Sequence, residues 1–388
     1  MTRIDLVMFD AGGGHRAAAT ALLAVIQAQQ RPWDVRLVNL QELLDPIDLF
    51  RDLAGVRLQD IYNLLLKKGW TLGSAQLCRF MQLLIRAYHH KEVQLLEEHW
   101  RASRPDLAVS LIPNFNRALL ESLRRVMPDA PFVTVLTDFV DYPPHFWIEP
   151  QDQYVVCGTE KAVQQAKEIG YTEDRIFRTS GMIIHPRFYE PICKDRRQER
   201  MRLGLDPDRT TGLVLFGGEG ARVMLDIARR LDQARLPLQL VLICGRNTKL
   251  AEEIRALPHQ MRWHVEGFTS EVPYYMYLSD FMIGKPGPGS ISEAIAMKLP
   301  VIVQLNAATL PQERYNAQWV LEREVGMVVS SFRKIDQVVA RLIEPATLAR
   351  YRANAGAIQN RAVFEVPEIF ERILRQAAPA KRGADIAG

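Results

Sequence analysis

The sequence predicts two successive α/β domains, each a doubly wound parallel sheet with helices on both faces. Three observations support this fold class. The length of 388 residues suits two domains. Short apolar runs alternate with helix-forming segments in both halves of the chain. In each half, the first run leads into a glycine-rich turn, at residues 11–14 and 217–220. Such sheets bind ligands at the carboxyl ends of their strands, so we expect a ligand in a cleft between two facing domains.

The apolar runs give the order of the predicted strands and the domain limits. Thr159 follows the fifth run and is predicted to cap a helix. The first domain is predicted to span residues 1–185 and the second 186–376, with a disordered tail over 377–388. The predicted strands cover residues 4–9, 35–40, 107–112, 132–137, 154–157, 212–216, 238–244, 281–284 and 301–304.

Composition excludes several classes of protein. The formal charge of +4 is too small for a protein that coats nucleic acid. Four cysteines lie apart without CxxC pairs, which indicates neither a zinc site nor a disulfide framework and favours a reducing cytosol. No apolar stretch is long enough for a transmembrane helix, and the amino terminus enters a strand pattern directly. Any membrane contact is therefore expected to be peripheral, at the inner face of the cell membrane.

Residues 41–100 separate two predicted strands by more than a crossover needs, so they are predicted to be an insertion. The stretch 51–104 carries nine Lys and Arg against five Asp and Glu. A buried pair of helices would explain its leucines. Aromatic side chains among cations instead favour a contact with an anionic membrane surface. The residues predicted to make that contact are Lys67, Lys68, Trp70, Arg79, Phe80 and Arg86.

The first glycine turn is the strongest local signal in the N-terminal half. Gly12, Gly13 and Gly14 lack the GxGxxG spacing of a dinucleotide site, but they let a ligand approach the backbone at a helix amino terminus. A tight turn alone is the alternative. His15 follows at the start of the helix, where an imidazole can act as a general base or serve only a structural role. Asp138 follows a strand and is predicted to position or assist His15.

Three segments of the C-terminal half have features of a ligand site. The turn Gly217, Gly218, Glu219 and Gly220 is suited to hold a phosphate. The loop 284–294 contains Gly287 and Gly289, then Ser290, predicted to cap a helix with Glu293 at the third helical position. Glu293 is also placed to accept both hydroxyls of a ribose. Gln312, Glu313 and Asn316 follow another strand and offer acceptors and amides to sugar hydroxyls.

No metal site is predicted. Asp206 and Asp208 form a DxD pattern, which binds a metal in some transferases. This pattern precedes a strand instead of following one, so a surface turn is the better interpretation.

Taken together, these motifs resemble those of the monogalactosyldiacylglycerol synthase family, which is related to the MurG-type glycosyltransferases of the GT-B fold. The resemblance rests on 12–16, 216–220, 285–294 and the Gln312-Glu313-x-x-Asn316 cluster, and the strand 133–138 adds to it. It extends from the first strand to about residue 320. The loop 139–147 and Asp10 depart from the family pattern, and both fall on the acceptor side.

The resemblance implies an inverting, metal-independent transfer of a hexose, galactose or glucose, from a UDP-sugar to the hydroxyl of 1,2-diacylglycerol. The N-terminal domain would bind the lipid acceptor and the C-terminal domain the UDP. His15 would be the general base or a histidine of the acceptor site, Gly217–Gly220 would line the diphosphate, and Phe268, followed by Thr269, would lie at the uracil. Glu293 would bind the ribose, and Gln312, Glu313 and Asn316 would bind the hexose.

Three alternative functions remain open at the level of the sequence. A MurG-like enzyme would transfer N-acetylglucosamine to another lipid. A UDP-sugar epimerase would use the nucleotide site without needing a long apolar insertion. A lipid-binding or nucleotide-sugar-binding module would not need His15 at all.

Overall fold

The computed structural model describes residues 1–9, 14–45, 74–142 and 144–384, with the backbone alone for 74–84, 86 and 378–384. These residues form two compact units, each composed of more than one segment of the chain. The first unit comprises Met1–Pro186, Leu310–Gln312 and Arg361–Gly388, and the second comprises Arg187–Thr309 and Glu313–Asn360.

The first unit contains a six-stranded sheet in which every pair of neighbouring strands is parallel. Its strands are β1 (Thr2–Met8), β2 (Trp33–Asn39), β3 (Leu107–Ser110), β4 (Phe132–Val135), β5 (Tyr154–Cys157) and β6 (Ile176–Arg178). Their order is β2-β1-β3-β4-β5-β6. The strand order reverses between β1 and β3, and ligands of open α/β sheets bind beside such a reversal.

The second unit also contains a six-stranded parallel sheet. Its strands are β7 (Thr210–Leu215), β8 (Leu238–Ile243), β9 (Trp263–Glu266), β10 (Phe281–Gly284), β11 (Val301–Gln304) and β12 (Gly326–Val329). Their order, β12-β11-β10-β7-β8-β9, is that of a nucleotide-binding Rossmann sheet. The reversal falls between β7 and β10, so the segments that follow these two strands flank the expected ligand position.

Helices connect the strands of both units. In the described part of the chain the α-helices are α1 (Gly14–Ala28), α2 (Leu40–Leu44), α3 (Ser74–Ser103), α4 (Asn116–Val126), α5 (Glu160–Glu168), α6 (Arg196–Arg202), α7 (Val223–Gln233), α8 (Thr248–Arg255), α9 (Val272–Tyr277), α10 (Pro288–Ala296), α11 (Arg314–Glu322), α12 (Ile335–Leu342), α13 (Pro345–Ala357) and α14 (Ala362–Ala384). Central strands such as β3, β4 and β10 are buried along their whole length, because helices cover both faces of each sheet. The predicted fold class is confirmed.

The carboxyl-terminal helix α14 differs from the sequence prediction in two ways. Residues 361–376 group with the first unit, although they were predicted to belong to the second domain. In that unit Arg31 forms an ion pair with Glu371 at 2.8 Å, and the Ser180 amide donates to Glu365. The helix also continues to Ala384, within the stretch predicted as a disordered tail, and residues 385–388 lie outside the described residues.

The predicted insertion is described only in part. Lys67, Lys68 and Trp70 lie outside the described residues, whereas Arg79, Phe80 and Arg86 fall on the described backbone of α3. The second half of α3 packs into the core of the first unit through Val93, Leu96 and Trp100. No helix in the described part of the chain is long and apolar enough to cross a membrane. Because these side chains are buried in the core, the second half of α3 is a core helix, as the alternative of a buried pair of helices expected.

Candidate functional site

His15 lies at the start of α1, directly beyond the carboxyl end of β1. Gly12 and Gly13 lie outside the described residues, and Gly14 is the first residue of the helix. The His15 Nδ1 atom is 3.1 Å from the hydroxyl of Thr137, which follows β4. The imidazole ring packs beside Trp147, with ring centroids 5.8 Å apart. Thr137 and Trp147 were not predicted as site residues, because each is far from His15 in sequence.

The environment of His15 keeps its imidazole neutral near pH 7. Desolvation by burial lowers the pKa of His15 to about 4, and a hydrogen bond with the Leu111 backbone acts in the opposite direction. When Nδ1 carries the proton it donates to Thr137, and Nε2 is then the nitrogen that carries a lone pair. A neutral imidazole held in this way has the protonation state that a general base requires.

Asp138 and Asp141 hold Trp147 in its place beside His15. Asp138 Oδ2 accepts a hydrogen bond of 2.9 Å from the Trp147 indole nitrogen. Asp141 is buried, and its two oxygens accept the backbone N–H groups of Trp147 at 2.6 Å and His145 at 2.9 Å. Burial raises the pKa of Asp141 to about 6 in spite of these bonds. The described contact of Asp138 therefore acts on the ring beside His15, which makes it a candidate positioning residue.

In the second unit, the glycine turn after β7 comes close to the turn after β8. Gly220 has a φ of +60°, and a Cβ there would lie 2.4 Å from the carbonyl oxygen of Cys244. A side chain at this position is excluded by backbone that cannot move aside. Gly217, with a φ of +77°, also needs a left-handed conformation. The turn therefore has no side chain at these two positions, which lie beside the strand reversal between β7 and β10.

Lys285, which follows β10, places a positive charge beside this turn. A Cβ added to Gly217 would lie 3.7 Å from Lys285 Cε, and one added to Gly287 would lie 3.4 Å from the same atom. The Lys285 ammonium is 3.7 Å from Glu313 Oε1, and about half of its side chain is exposed. Lys285 lies in the loop 284–294, whose glycines and serine were predicted as site residues, but Lys285 itself was not predicted as one.

Helix α10 begins earlier than the sequence predicted. Gly287 is the N-cap and Pro288 is the first helical residue, so Glu293 is the sixth residue of the helix and not the third. Ser290 lies inside the helix, and its hydroxyl donates to the Gly287 carbonyl at 3.2 Å. The predicted capping box of Ser290 and Glu293 is therefore wrong. Proline preferentially occupies the first helical position, and this preference outweighs the capping tendency of serine.

Glu293 is half-buried on α10. Its side chain does not cap the amino terminus of this helix, so capping does not explain the presence of a carboxylate at this position. Desolvation raises the pKa of Glu293 to about 7, while the nearby charge of Arg187 acts in the opposite direction. The Arg187 guanidinium also donates to the carbonyl of Ser270 at 2.8 Å. Arg187 thus connects the surroundings of Glu293 with the loop that follows β9, where Phe268 and Thr269 lie.

The predicted hexose residues have different environments. Asn316 is fully buried, and its amide nitrogen donates to the carbonyl of Pro286 at 2.8 Å. This contact fixes the loop before α10, so Asn316 acts on the site through that loop. Glu313 is mostly buried and pairs with Lys285, whereas Gln312 groups with the first unit. Gly289 has nothing within 4 Å of an added Cβ.

Phe268 is the most exposed large aromatic side chain near these loops, at 60%. Thr269 accepts the backbone N–H of Glu271 at 2.9 Å, which shapes the loop after β9. In the described part of the chain, no group of three His, Cys, Asp or Glu side chains is placed to hold a metal ion. Asp206 and Asp208 form a turn in which the Asp208 amide donates to the Asp206 carboxylate at 3.0 Å.

Comparison with known proteins assigns both halves of the chain. Residues 15–184 match the monogalactosyldiacylglycerol (MGDG) synthase family, and residues 213–371 match the C-terminal domain of glycosyltransferase family 28. Monogalactosyldiacylglycerol synthase 2, chloroplastic, of Arabidopsis thaliana is 28% identical over 403 residues, which cover 96% of this chain and 81% of that protein.

Two solved structures are similar in fold over nearly the whole length of the chain. MurG of Acinetobacter baumannii superposes with a TM-score of 0.63 at 12% identity, over 96% of this chain and 100% of that one. The UDP-GlcNAc 2-epimerase of Neisseria meningitidis, solved bound to UDP-GlcNAc, gives a TM-score of 0.61 at 14% identity, over 96% and 100%. At this level of identity the likeness concerns the fold alone.

The two Rossmann-like units and the matched C-terminal domain define the class of the protein as a glycosyltransferase of the GT-B fold. Within that class, the N-terminal half is similar to the MGDG synthases and the C-terminal half to the enzymes of family 28. The resemblance that the motifs predicted is thereby confirmed.

Proposed function

We propose that the protein transfers a hexose, galactose or glucose, from a UDP-sugar to the free hydroxyl of 1,2-diacylglycerol and inverts the anomeric carbon to give a β-glycolipid. The observation that carries this proposal is the match of residues 15–184, which begin at His15, to the MGDG synthases. A UDP-sugar donor is supported by the Rossmann strand order of the second unit and by the epimerase of the same fold that binds UDP-GlcNAc.

In the proposed reaction, Nε2 of His15 removes the proton from the acceptor hydroxyl. The hydroxyl oxygen forms a bond to the anomeric carbon while the bond from that carbon to the UDP oxygen breaks. The electron pair leaves with UDP, and the proton remains on the imidazole until solvent removes it. Thr137 and Trp147 hold the imidazole, and Asp138 acts through Trp147.

On the donor side, the departing diphosphate needs positive charge and N–H donors. The amino terminus of α10, the backbone of Gly217–Gly220 and the Lys285 ammonium are the groups that we assign to this task. Phe268 would contact the uracil and Glu293 the ribose, with Gln312 and Glu313 at the hexose. Because N–H groups and the Lys285 ammonium serve the diphosphate, we also propose that the reaction needs no metal, so that a chelator leaves turnover unchanged.

A donor and acceptor screen tests this function. The purified protein is incubated with UDP-galactose, UDP-glucose or UDP-GlcNAc, with and without dioleoylglycerol, and the products are identified by mass spectrometry. A hexosyl-diacylglycerol with a β-anomeric proton by NMR supports the proposal. Transfer of GlcNAc alone would favour a MurG-like activity, and conversion between free UDP-sugars would favour an epimerase. Binding of a UDP-sugar or lipid without formation of any product would favour a non-catalytic binding module.

Replacement of Glu293 by glutamine is expected to weaken UDP binding about tenfold or more, because charge-assisted hydrogen bonds from ribose hydroxyls are lost. Calorimetric titration with UDP measures this effect. The pKa of Glu293 is about 7, and the ionised form accepts these bonds. The affinity of the wild type should therefore rise between pH 6 and pH 8 relative to that of the variant.

Protein stability serves as the control for the Glu293 prediction. The pKa of this carboxyl is higher in the folded than in the unfolded chain, so ionisation costs stability as the pH rises from about 4.5 to about 7. The glutamine variant should be at least as stable as the wild type at pH 8. An unchanged UDP affinity in a folded variant would remove Glu293 from the ribose site.

We further propose that the enzyme binds the inner face of the cell membrane through Lys67, Lys68 and their neighbours. Exchange of both lysines for glutamate should weaken co-sedimentation with anionic vesicles about tenfold or more, because each cation near such a surface contributes about 1 kcal/mol. Activity on diacylglycerol in bilayers should fall, whereas activity on a short-chain soluble acceptor should not. Unchanged vesicle binding, or none in the wild type, would contradict this contact.

A further inference from the structure

Arg246 has a backbone position fixed against the glycine turn of the second unit. It follows β8 by way of Gly245, where a Cβ would lie 2.1 Å from the carbonyl oxygen of Gly218. The Arg246 amide donates to that same carbonyl at 2.8 Å. Gly245 also has a φ of +59°, so a glycine here allows the turns after β7 and β8 to touch. The direction in which the Arg246 side chain leaves the backbone is thereby determined.

The Arg246 side chain joins two segments assigned to the donor site. Its Nη1 atom pairs with Glu219 Oε1 at 3.1 Å, and its guanidinium lies over the Phe268 ring, 4.3 Å from the centroid. The ring is covered on one face by this planar cation, yet 60% of Phe268 remains exposed. A flat, exposed ring backed by a fixed cation is suited to stack with a second flat group.

We propose that Arg246 is a positioning residue that backs Phe268 and thereby holds the ring for stacking with the nucleobase of the donor. The inference rests on the proposed function, because it requires a nucleotide at this site. Glu219 holds the guanidinium over the face of the ring, and the arginine is suited to this task because its delocalised group stacks on aromatic faces, which an ammonium does not. A direct contact between Arg246 and the diphosphate is the competing role.

Uridine and UDP separate the two roles, because uridine has the base without the phosphates. Arg246→Met is expected to weaken the binding of both ligands by the same factor, about 3-fold, the size of an exposed cation–π contact. Arg246→Lys should weaken uridine binding in the same way. In a Phe268→Ala background, Arg246→Met should have no further effect on uridine, because its partner ring is gone. Dissociation constants are measured by ligand-observed NMR for uridine and by calorimetry for UDP.

Matched controls keep the outcomes separate. Arg229→Met removes an exposed arginine of α7 and should leave both affinities unchanged, and melting temperatures verify that every variant is folded. Glu219→Gln should weaken uridine binding, since the guanidinium loses its fixed partner. The proposal is overturned if Arg246→Met weakens UDP but not uridine binding, or if its effect persists in the Phe268→Ala background. A wild type that binds neither ligand would instead refute the proposed donor site.

Discussion

The His15→Ala variant is expected to have a kcat about 10²-fold or more below that of the wild type, the usual contribution of a general base. The imidazole is neutral, hydrogen-bonded to Thr137 and packed beside Trp147, so its proton affinity and its direction are both set by the fold. Affinity for UDP, measured by calorimetry, should stay near that of the wild type, because the residues assigned to UDP itself belong to the second unit. Steady-state kinetics with diacylglycerol give kcat.

A second variant separates catalysis from packing at His15. Glutamine keeps a polar group that can hydrogen-bond to Thr137 but cannot act as a base at neutral pH. If His15 is only structural, His15→Gln should restore both melting temperature and turnover. If it is the base, both variants stay slow, and added imidazole should restore part of the activity of His15→Ala. Turnover close to the wild-type value in a folded alanine variant would remove His15 from the mechanism.

The pH profile gives an independent check on the same residue. The profile of kcat/KM for the acceptor, at saturating UDP-sugar, reports the pKa of the free base. Because the pKa of His15 is lowered to about 4, this profile should stay flat as the pH falls from 8 through 6.5. Working at saturating donor keeps Glu293, whose pKa is about 7, out of the measurement. A decline centred at the ordinary histidine pKa would show that the imidazole is solvated.

The sequence predicted the central strands of both sheets better than their edges. Residues 154–157, 281–284 and 301–304 are strands with the predicted limits, because a buried parallel strand is a continuous apolar run. The strands β6, β9 and β12 were missed. All three lie at a sheet edge and keep half-exposed positions. Polar residues such as Arg178 and His264 interrupt the apolar pattern of β6 and β9, whereas β12 is a run of only four residues that begins with a glycine.

The candidate site was predictable where its residues are contiguous with a strand end. Glycine turns and polar residues after β1, β7 and β10 indicated where a ligand approaches. Thr137, Trp147 and Arg246 were not predictable as partners of His15 or Phe268, because only the folded sheet brings these positions together. Asn316 shows the converse. Its residue type suggested a sugar contact, but in the buried side chain the amide nitrogen donates to the Pro286 carbonyl.

The Lys285→Met variant is expected to lower kcat about 10²-fold, which is the size of the loss when one preorganised group facing a developing negative charge is removed. Lys285 lies between Gly217 and Gly287, next to the turn assigned to the diphosphate. Its ammonium would therefore stabilise the departing UDP more than the bound donor. Single-turnover kinetics with the UDP-sugar that proves active measure the chemical step, and Lys298→Met, an exposed lysine beyond the other end of α10, is the matched control.

The partner of Lys285 allows two explanations of such a loss to be separated. Removing the ammonium also leaves the mostly buried Glu313 carboxylate without this cation, and that charge would itself repel the diphosphate. The double variant Lys285→Met with Glu313→Gln removes both charges. If the loss comes from the unpaired carboxylate charge, the double variant recovers; if Lys285 acts on the leaving group, the double variant stays as slow as the single variant. A Lys285→Met enzyme with the kcat of the wild type would exclude Lys285 from stabilising the leaving diphosphate.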